Sequence, residues 1–254
     1  TGWGRSTGSR ARVVRPETVG QAAAHVAQAH AVLGRGMGRA YGDAAQCAGG
    51  LVISTDRLQY CDAPAEVMTI GAGVSIDEVL RRIVPAGYFV PVTPGTRYVS
   101  IGGALASDIQ GKNHHADGAL SAHTESIDLV LADGSEVTVG PHQDPELFWA
   151  TAGGMGLTGL ITGARIRMRS IESSQLRVDT SRADNLDDAR VFEPRNVLDH
   201  ALRRFVDVHP RRALATMANE VPLEEVSERV GGDARADGRK ERHRIAEGLL
   251  DELR

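Results

Sequence analysis

The segment Gly34-Arg35-Gly36-Met37-Gly38-Arg39-Ala40-Tyr41-Gly42-Asp43 is the strongest indication of fold and function in this chain of 254 residues. It directly follows a short apolar run, residues 29–33. Glycine tolerates positive φ angles and lets backbone N–H groups approach a ligand closely, so this spacing predicts a turn that holds a pyrophosphate. A nicotinamide-binding Rossmann unit would open a helix at the last glycine, whereas here a further pair, Gly49-Gly50, continues the loop. Taken alone, the segment is equally compatible with a plain structural turn.

Composition excludes several classes of function. The net charge is −4, and a nucleic-acid surface needs clustered Lys and Arg, so we expect no nucleic-acid partner, although a small anionic ligand is compatible. Cys47 and Cys61 are too few for a disulfide framework or a zinc site, and both are expected to be reduced. No apolar run reaches about 18 residues and no signal pattern is present, so we expect a cytoplasmic protein or one that is peripheral at the membrane. The sequence begins at Thr1 rather than Met, which limits conclusions on targeting.

Charge density divides the chain near residue 182. Residues 1–181 carry 32 charged side chains, whereas residues 182–254 carry 30 in less than half that length. The first part alternates apolar runs with helical patterns that break at glycines, which is typical of an α+β fold. In the second part, apolar residues recur at helical spacing over 197–206 and 245–253. We therefore predict a folded domain over 1–181 and a charged, mainly helical tail over 182–254.

The periodicity of the first part predicts individual elements. Pro16 is expected in the first turn of a helix that continues to Ala27. Ser75 is expected to cap a helix over 76–84, with acidic residues in its first turn. The dipeptide Asp133-Gly134 predicts a hairpin turn. Strands are predicted over 32–33, 51–53, 67–70, 127–131, 136–139 and, with period-two character, 159–168, and a short helix is predicted to open at 144–146 and run through 147–149.

A second glycine-rich segment occupies residues 93–108. Pro94-Gly95 indicates a turn, and Ser100 is expected to cap a helix whose first turn holds Gly102 and Gly103. Two glycines there cost roughly 1 kcal/mol each relative to alanine, which indicates that the backbone must remain accessible. A helix N-terminus with free N–H groups binds anions, so a pyrophosphate is expected between this segment and the first glycine loop. Close packing of the helix against a strand is the alternative.

Two further segments carry candidate functional residues. His114 and His115 invite a metal-site interpretation, but adjacent histidines cannot easily share one ion and no other ligand completes the set, so no metal is expected. Residues 150–161 form another glycine-rich stretch, which leads into a strand. Four such segments in one region exceed what turns alone require.

Together these segments resemble a known family. The runs Arg-Gly-x-Gly-Arg-x-Tyr-Gly-Asp from Arg35, Pro-Gly-Thr-Arg from Pro94 with x-Gly-Gly-Ala, Asp-Ile-x-Gly-Lys-Asn-His-His from Asp108, Glu-Leu-Phe-Trp-Ala-Thr and Gly-Leu-Thr-Gly are similar to the flavin domain of the decaprenylphosphoryl-β-D-ribose oxidase family. That family belongs to the vanillyl-alcohol-oxidase-like flavoproteins, whose PCMH-type FAD-binding domain has two α/β subdomains. The likeness extends over about residues 1–180, in matching order and spacing.

The resemblance implies that FAD is the cofactor. A histidine that binds the flavin covalently in similar flavoproteins is replaced by Arg39, so we expect the FAD to be non-covalent. The isoalloxazine is expected near residues 107–112, and Lys112 matches a lysine that lines the substrate pocket, where its ammonium group would pair with a substrate phosphate. Cofactor contacts are implied for Arg35, Gly36, Met37, Gly38, Arg39, Ala40, Tyr41, Gly42, Pro94, Gly95, Thr96, Val99, Gly102, Gly103, Ala104, Ser107, Asp108, Gln110, Gly111, Asn113, Gly156 and Ile161.

The implied reaction is hydride transfer from the ribose C2 of a polyprenylphosphoryl sugar to flavin N5, which gives a keto sugar that a partner reductase completes to an arabinan precursor. Two residues depart from the family: Gln110 replaces a histidine and Ala40 replaces a serine. Gln110 cannot titrate near neutral pH, so any acid–base role of that histidine would be lost. Residues 182–254 are too short for the family's substrate domain. A flavin-binding module without turnover and an aldonolactone or alditol oxidase are therefore open alternatives.

Overall fold

The computed structural model describes residues 1–5, 8–174 and 207–208, and these residues form the expected α+β structure. The strands are β1 Arg12–Val14, β2 Val32–Arg35, β3 Leu51–Ser54, β4 Val67–Gly71, β5 Tyr88–Phe89, β6 Thr124–Val130, β7 Glu136–Val139, β8 Leu160–Arg167, β9 Arg169–Ser170, β10 Ser173–Ser174 and β11 Asp207–Val208. The helices are α1 Val19–Ala27, α2 Ile76–Ile83, α3 Ile101–Ala106, α4 His114–Asp117 and α5 Pro145–Thr151, with 3-10 turns at Val84–Ala86 and Leu120–His123.

The first sheet is parallel, and β3 lies between β1 and β2. Parallel strands of one sheet must be joined by a long crossover connection, which is usually a helix. Here α1 connects β1 to β2, but residues 36–50 connect β2 to β3 without forming a helix. This confirms the prediction that the glycine segment continues as a loop. The loop leaves the carboxyl end of β2, which is the end of an α/β sheet where ligands bind.

The second sheet is antiparallel, with the order β4, β8, β6, β7. Its β6–β7 hairpin confirms the predicted turn, in which Gly134 has a φ of +85°. The period-two pattern predicted for the strand over 159–168 is wrong for its first half. The first five residues of β8 are all buried, because β8 lies between β4 and β6 and is covered on both faces there.

A shared apolar core joins helix α1 to both sheets. The cluster contains Ala22, Ala23 and Val26 from α1, Leu51 and Ile53 from β3, Val130 from β6 and Leu160 from β8. Burying these side chains together fixes the parallel sheet, and therefore the loop that leaves β2, relative to the antiparallel sheet.

Local hydrogen bonds set where the helices begin. Thr18 Oγ1 accepts the N–H of Gln21 at 3.2 Å, so α1 begins at Val19. The prediction that Pro16 lies in the first turn is therefore wrong, because the side chain that caps the helix comes two residues later. The Ser75 prediction is confirmed: Ser75 Oγ accepts the N–H of Glu78 at 3.2 Å, and the Glu78 carboxylate accepts the N–H of Ser75 at 2.8 Å.

The chain divides into two compact units, Thr1–Ser170 and Ile171–Arg254. In the second unit the described residues include one parallel pairing, of Ser173 with Asp207 and of Ser174 with Val208. The predicted boundary between residues 181 and 182 stays a prediction. The helices predicted over 197–206 and 245–253 lie outside the described residues.

Candidate functional site

The glycine loop, residues 36–43, has backbone N–H groups that are available to a ligand. Three of its carbonyl oxygens are bonded to the protein, and two of them accept backbone N–H groups: Ala40 O accepts the N–H of Trp3 at 3.0 Å, and Asp43 O accepts the N–H of Gln46 at 2.8 Å. Gln46 also donates its side-chain amide to Gly42 O. Within the part of the chain that the structure describes, no N–H group of residues 36–43 donates to a protein acceptor. Unbonded N–H groups on successive residues form a concavity suited to an anion.

Two arginines fasten this loop rather than pointing freely into solution. Arg35 donates to Ala45 O at 2.8 Å and to Thr1 O at 2.9 Å. Arg39 donates its Nε–H to Tyr98 O at 3.0 Å, and its guanidinium carbon lies 4.1 Å from the centroid of the Trp3 ring. In the described structure the two terminal nitrogens of Arg39 make no hydrogen bond to the protein. They are therefore free to donate to an anion beside the loop.

Helix α3 differs from what its sequence predicts. Ser100 does cap it, since Ser100 Oγ accepts the N–H of Gly103 at 3.3 Å. The N–H groups at the start of the helix are not free, however: Ile101 donates to Val74 O at 2.9 Å and Gly102 donates to Ala72 O at 3.0 Å. The expectation of an open helix N-terminus is wrong, because Ala72 and Val74, in the segment directly after β4, supply acceptors for these N–H groups.

The glycines of α3 serve close packing. A Cβ on Gly102 would lie 2.8 Å from the Cβ of Ala72 and 3.3 Å from its carbonyl oxygen, distances too short for any side chain. A Cβ on Gly36 of the glycine loop would overlap the hydroxyl of Ser100. The structure thus brings the glycine loop against the start of α3, as the sequence predicts. Gly36 makes this approach possible from the side of the loop, whereas Gly102 allows α3 to pack against Ala72.

A buried ion pair holds the segment that precedes α3. Arg97 is 8% exposed, and its Nε lies 2.7 Å from Asp77 Oδ1 in the first turn of α2. Two backbone hydrogen bonds reinforce the contact, from Asp77 N–H to Arg97 O and from Ile76 N–H to Val99 O. The Tyr98 carbonyl that accepts from Arg39 is therefore held in place from α2. In the described residues Gly95 and Thr96 have N–H groups without a protein acceptor, as the glycine loop has.

The third predicted segment is a tight turn that presents Lys112. Lys112 is exposed, and its ammonium group has no partner within the residues described here. The turn is tied down on either side, because Asn113 donates to Pro91 O at 3.1 Å and a Cβ on Gly111 would press on the carbonyl of Thr93. Asp108, at a φ of +41°, accepts both the N–H and the hydroxyl of Ser121 at 2.9 Å. Asn113 and Asp108 thus act first as structural residues.

Asp117 secures the far end of this turn. Its carboxylate accepts from Asn113 at 2.7 Å and pairs with Arg169 of β9 at 2.7 Å. Burial alone raises the pKa of Asp117, but the hydrogen bonds from Asn113 and Arg169 and the charge of Arg169 outweigh it, so this pKa lies below its ordinary value. Gln110 beside the turn is exposed. Within the described ranges no cluster of three or more His, Cys, Asp or Glu side chains is arranged to bind a metal ion.

The fourth glycine-rich segment, residues 150–161, caps the carboxyl end of α3. Gly153 donates to Leu105 O at 3.0 Å and Met155 donates to Ala106 O at 2.8 Å, so this stretch caps the last carbonyls of the helix. Gly156 has a φ of +76° and open space where a Cβ would stand. Ile161 is buried in β8, where it pairs with Leu129 of β6. Contact of either residue with a cofactor stays a prediction.

Two residues of the site, Trp3 and Tyr98, are not predicted by any pattern in the sequence. Trp3 lies against Arg39, and the Tyr98 carbonyl anchors the same guanidinium from the opposite segment. Neither contact has a periodic or spacing signal, since Trp3 is 36 positions and Tyr98 is 59 positions away from Arg39 in sequence. Among the described residues no helix is both long enough and apolar enough to cross a membrane.

Comparison with known proteins agrees with this geometry. A family model described as an FAD binding domain matches residues 10–140, about half of the chain. Decaprenylphosphoryl-beta-D-ribose oxidase of Mycolicibacterium smegmatis is 40% identical over 200 residues, which are 75% of this chain and 44% of that protein. Cytokinin dehydrogenase 4 of Arabidopsis thaliana is 29% identical over 159 residues, which are 59% of this chain and 30% of that protein.

These matches confirm the resemblance to a flavin domain and the FAD cofactor. An uncharacterised protein of Streptomyces coelicolor is a further relative, 36% identical over 115 residues, or 45% of this chain and 31% of that protein. The chain therefore spans less than half the length of each of these three relatives.

Proposed function

The chain belongs to the FAD binding domain family, and from this premise we propose that it is the flavin-binding part of an FAD-dependent oxidoreductase that acts on a CH–OH group of a polyprenylphosphoryl sugar. The substrate class is suggested by the oxidase to which the chain is 40% identical. The observation that supports flavin binding most directly is the set of unbonded N–H groups over residues 36–43.

We assign the diphosphate of FAD to the glycine loop. A diphosphate is a compact anion that needs several donors, and the loop supplies N–H groups without a protein acceptor, while bonds to three of its carbonyls hold its second half. Arg39 adds a positive charge with two free terminal nitrogens. Gly95 and Thr96 would donate from the opposite side. The donor set therefore fits the anionic part of the cofactor.

The remaining predicted contacts divide by exposure. Gly103, Ser107 and Gln110 are exposed, and they are proposed to face the flavin. Gly102 and Ala104 are buried, so they are proposed to support the site rather than to contact the flavin. The parallel and antiparallel sheets are proposed to be the two subdomains of a PCMH-type domain.

In the proposed reaction the bound flavin supplies the acceptor for the hydride that leaves the sugar carbon. This chain's own residues would bind and orient the reactants. Lys112 would hold the substrate phosphate, since its ammonium is exposed and has no partner among the described residues. Gln110 would orient through its amide without exchanging a proton near neutral pH. Arg39 cannot form the histidyl-type bond to the flavin, so the cofactor would be held without a covalent link.

The test of flavin binding is a titration of the purified chain with FAD. We expect uptake of FAD in a 1:1 ratio, and we expect acid precipitation to leave the flavin in the supernatant because it is non-covalent. A chain that takes up no FAD would contradict the proposal. Flavin that stays with the precipitate would contradict the assignment of Arg39.

Substitution of Lys112 tests the proposed substrate contact. Lys112→Gln is expected to raise the KM for a polyprenylphosphoryl sugar by about tenfold, which is 1.4 kcal/mol, while the Kd for FAD stays unchanged. The KM is measured from initial rates of turnover with an added electron acceptor at varied substrate concentrations, and anaerobic bleaching of the flavin without that acceptor reports the reductive step. His115→Gln is the matched control, since His115 is exposed three residues later in α4, and it is expected to change neither constant. An unchanged KM for Lys112→Gln would remove Lys112 from the proposed site.

A second candidate is a flavin-binding module that does not turn over. Gln110 favours it, because an amide replaces the titratable histidine of the family at the proposed flavin face. The same anaerobic experiment separates the two candidates. Bleaching by a polyprenylphosphoryl ribose supports the oxidoreductase, whereas bound FAD that no sugar reduces supports the module. A partner reductase and peripheral association with a membrane follow from the substrate class and are part of the first proposal only.

A further inference from the structure

We infer that residues 1–5, here called the strap, hold the glycine loop in the conformation that binds the FAD diphosphate. This inference rests on the proposed assignment of the diphosphate to residues 36–43. The strap is not part of the region that the family model matches, which begins at residue 10. Its contacts with the loop are backbone hydrogen bonds, close packing and one stacked cation.

The strap binds one carbonyl of the loop and the side chain of Arg35, which precedes the loop. Trp3 N–H donates to Ala40 O at 3.0 Å, and Thr1 O accepts from the Arg35 guanidinium at 2.9 Å. Each peptide unit that fixes its carbonyl on one side directs its N–H to the other side. Trp3 therefore fixes the peptide between Ala40 and Tyr41, and the Tyr41 N–H has no protein acceptor in the described structure, so a ligand would satisfy it.

Gly2 allows the strap to lie this close. Gly2 is buried, and a Cβ at this position would overlap the carbonyl oxygen of Gly42 and lie 3.1 Å from that of Ala40. Both oxygens are backbone atoms of the glycine loop, so they cannot move aside without moving the loop. By contrast, a Cβ on Gly4, two residues further on, would meet nothing within 4 Å. The two glycines thus provide a matched pair of test positions.

Trp3 links the strap to the second glycine-rich segment. Its ring lies against the guanidinium of Arg39, and Arg39 in turn donates to Tyr98 O at 3.0 Å. A guanidinium group that stacks on an aromatic ring keeps its positive charge but loses conformational freedom. The contact therefore places the free terminal nitrogens of Arg39 before the cofactor arrives. Such preorganisation raises the affinity for FAD, because the entropy of ordering the loop is already lost before FAD binds.

The experiment compares Gly2→Ala with Gly4→Ala in the full chain freed of flavin. We expect Gly2→Ala to raise the Kd for FAD by about tenfold or more, which corresponds to 1.4 kcal/mol, and Gly4→Ala to leave it within about twofold. Flavin fluorescence measures the Kd, and thermal unfolding of the flavin-free protein measures stability. The loss is expected to be the same for ADP, measured by competition, because the strap acts on the diphosphate cradle.

Each outcome decides the inference. Equal FAD affinity for Gly2→Ala and the unsubstituted chain would overturn it, and so would an equal loss in Gly4→Ala. If Gly2→Ala does not fold, Trp3→Ala decides, because Trp3 is 46% exposed and its removal opens no core cavity. Trp3→Ala is expected to weaken FAD binding about fivefold, and unchanged binding would overturn the inference. Failure of the unsubstituted chain to bind FAD would instead contradict the proposed function.

Discussion

The glycine loop after β2 and the glycines of α3 look alike in sequence but differ in what their backbones do. In the loop, the carbonyl oxygens of Ala40, Gly42 and Asp43 are bonded to the protein, and the N–H groups over residues 36–43 have no acceptor among the described residues. In α3, Ile101 and Gly102 donate to carbonyl oxygens of the segment after β4, and Gly103 donates to Ser100 Oγ. The loop is open to a ligand, whereas the start of the helix is closed by the protein.

The difference shows that a glycine cluster has two physical uses. Glycine admits a ligand where it has positive φ and open space beside it, as at Gly42, whose φ is +61°. It admits another protein segment where a Cβ would strike a neighbour, as at Gly102 against Ala72. Substitutions in the loop should therefore change cofactor affinity, and substitutions around α3 should change stability. Three variants test this division, in order of decreasing effect.

Arg97→Ala is expected to destabilise the protein by about 3 kcal/mol, because it removes the buried partner of the Asp77 carboxylate and leaves only the more exposed Arg81. The Arg97 side chain is 10% exposed and that of Asp77 is 13% exposed. Chemical denaturation of the flavin-free protein measures the change. Arg81→Ala is the control: Arg81 pairs with the same carboxylate but is 44% exposed, so its loss is expected to cost less than about 1 kcal/mol. Equal effects of the two variants would contradict the structural role of the buried pair.

Gly102→Ala is expected to destabilise the protein by about 1–3 kcal/mol, because its Cβ would be forced against Ala72 in a packed region. Gly103→Ala is the comparison in the next position. Gly103 is exposed and its Cβ would meet only the Ser100 hydroxyl at 3.2 Å, so its effect on the free energy of unfolding should stay within about 1 kcal/mol. If Gly102→Ala left stability unchanged and weakened FAD binding instead, the division between loop and helix would fail.

Gly42→Ala is expected to cost about 1 kcal/mol of stability through its positive φ, and to weaken FAD binding beyond that loss. Gly49→Ala is the matched control, since Gly49 has a φ of +72° and equally open space but lies outside residues 36–43. Both variants carry the same backbone strain. Calorimetric FAD titration should therefore separate them, with weaker binding for Gly42→Ala alone. Equal affinities would remove the glycine loop from the cofactor site.

The sequence predicted those features that depend on neighbouring residues. The Ser75 and Ser100 caps, the Asp133-Gly134 hairpin and the helix-free glycine loop are all confirmed, because their hydrogen bonds close within a few residues. The predicted start of α1 at Pro16 differs from its observed start at Val19, because the Thr18 side chain caps the helix.

Features that depend on distant residues could not be predicted in this way. The acceptor of the Gly102 N–H is Ala72 O, 30 positions earlier, and Arg39 is held by Tyr98 and Trp3 from opposite directions along the chain. No periodicity reports whether a backbone donor is already bonded. For the same reason the sequence assigned an anion site to the start of α3 as well as to the glycine loop, and only the hydrogen bonds distinguish the two.

Amide hydrogen exchange with and without FAD tests the central claim most directly. In the flavin-free protein, the amides of residues 36–42 should exchange rapidly and those of Ile101 and Gly102 should be protected, since only the latter are bonded to the protein. Addition of FAD should protect residues 36–42 and leave Ile101 and Gly102 unchanged. Protection that appears at Ile101 and Gly102 on FAD binding, with continued rapid exchange over residues 36–42, would contradict the account.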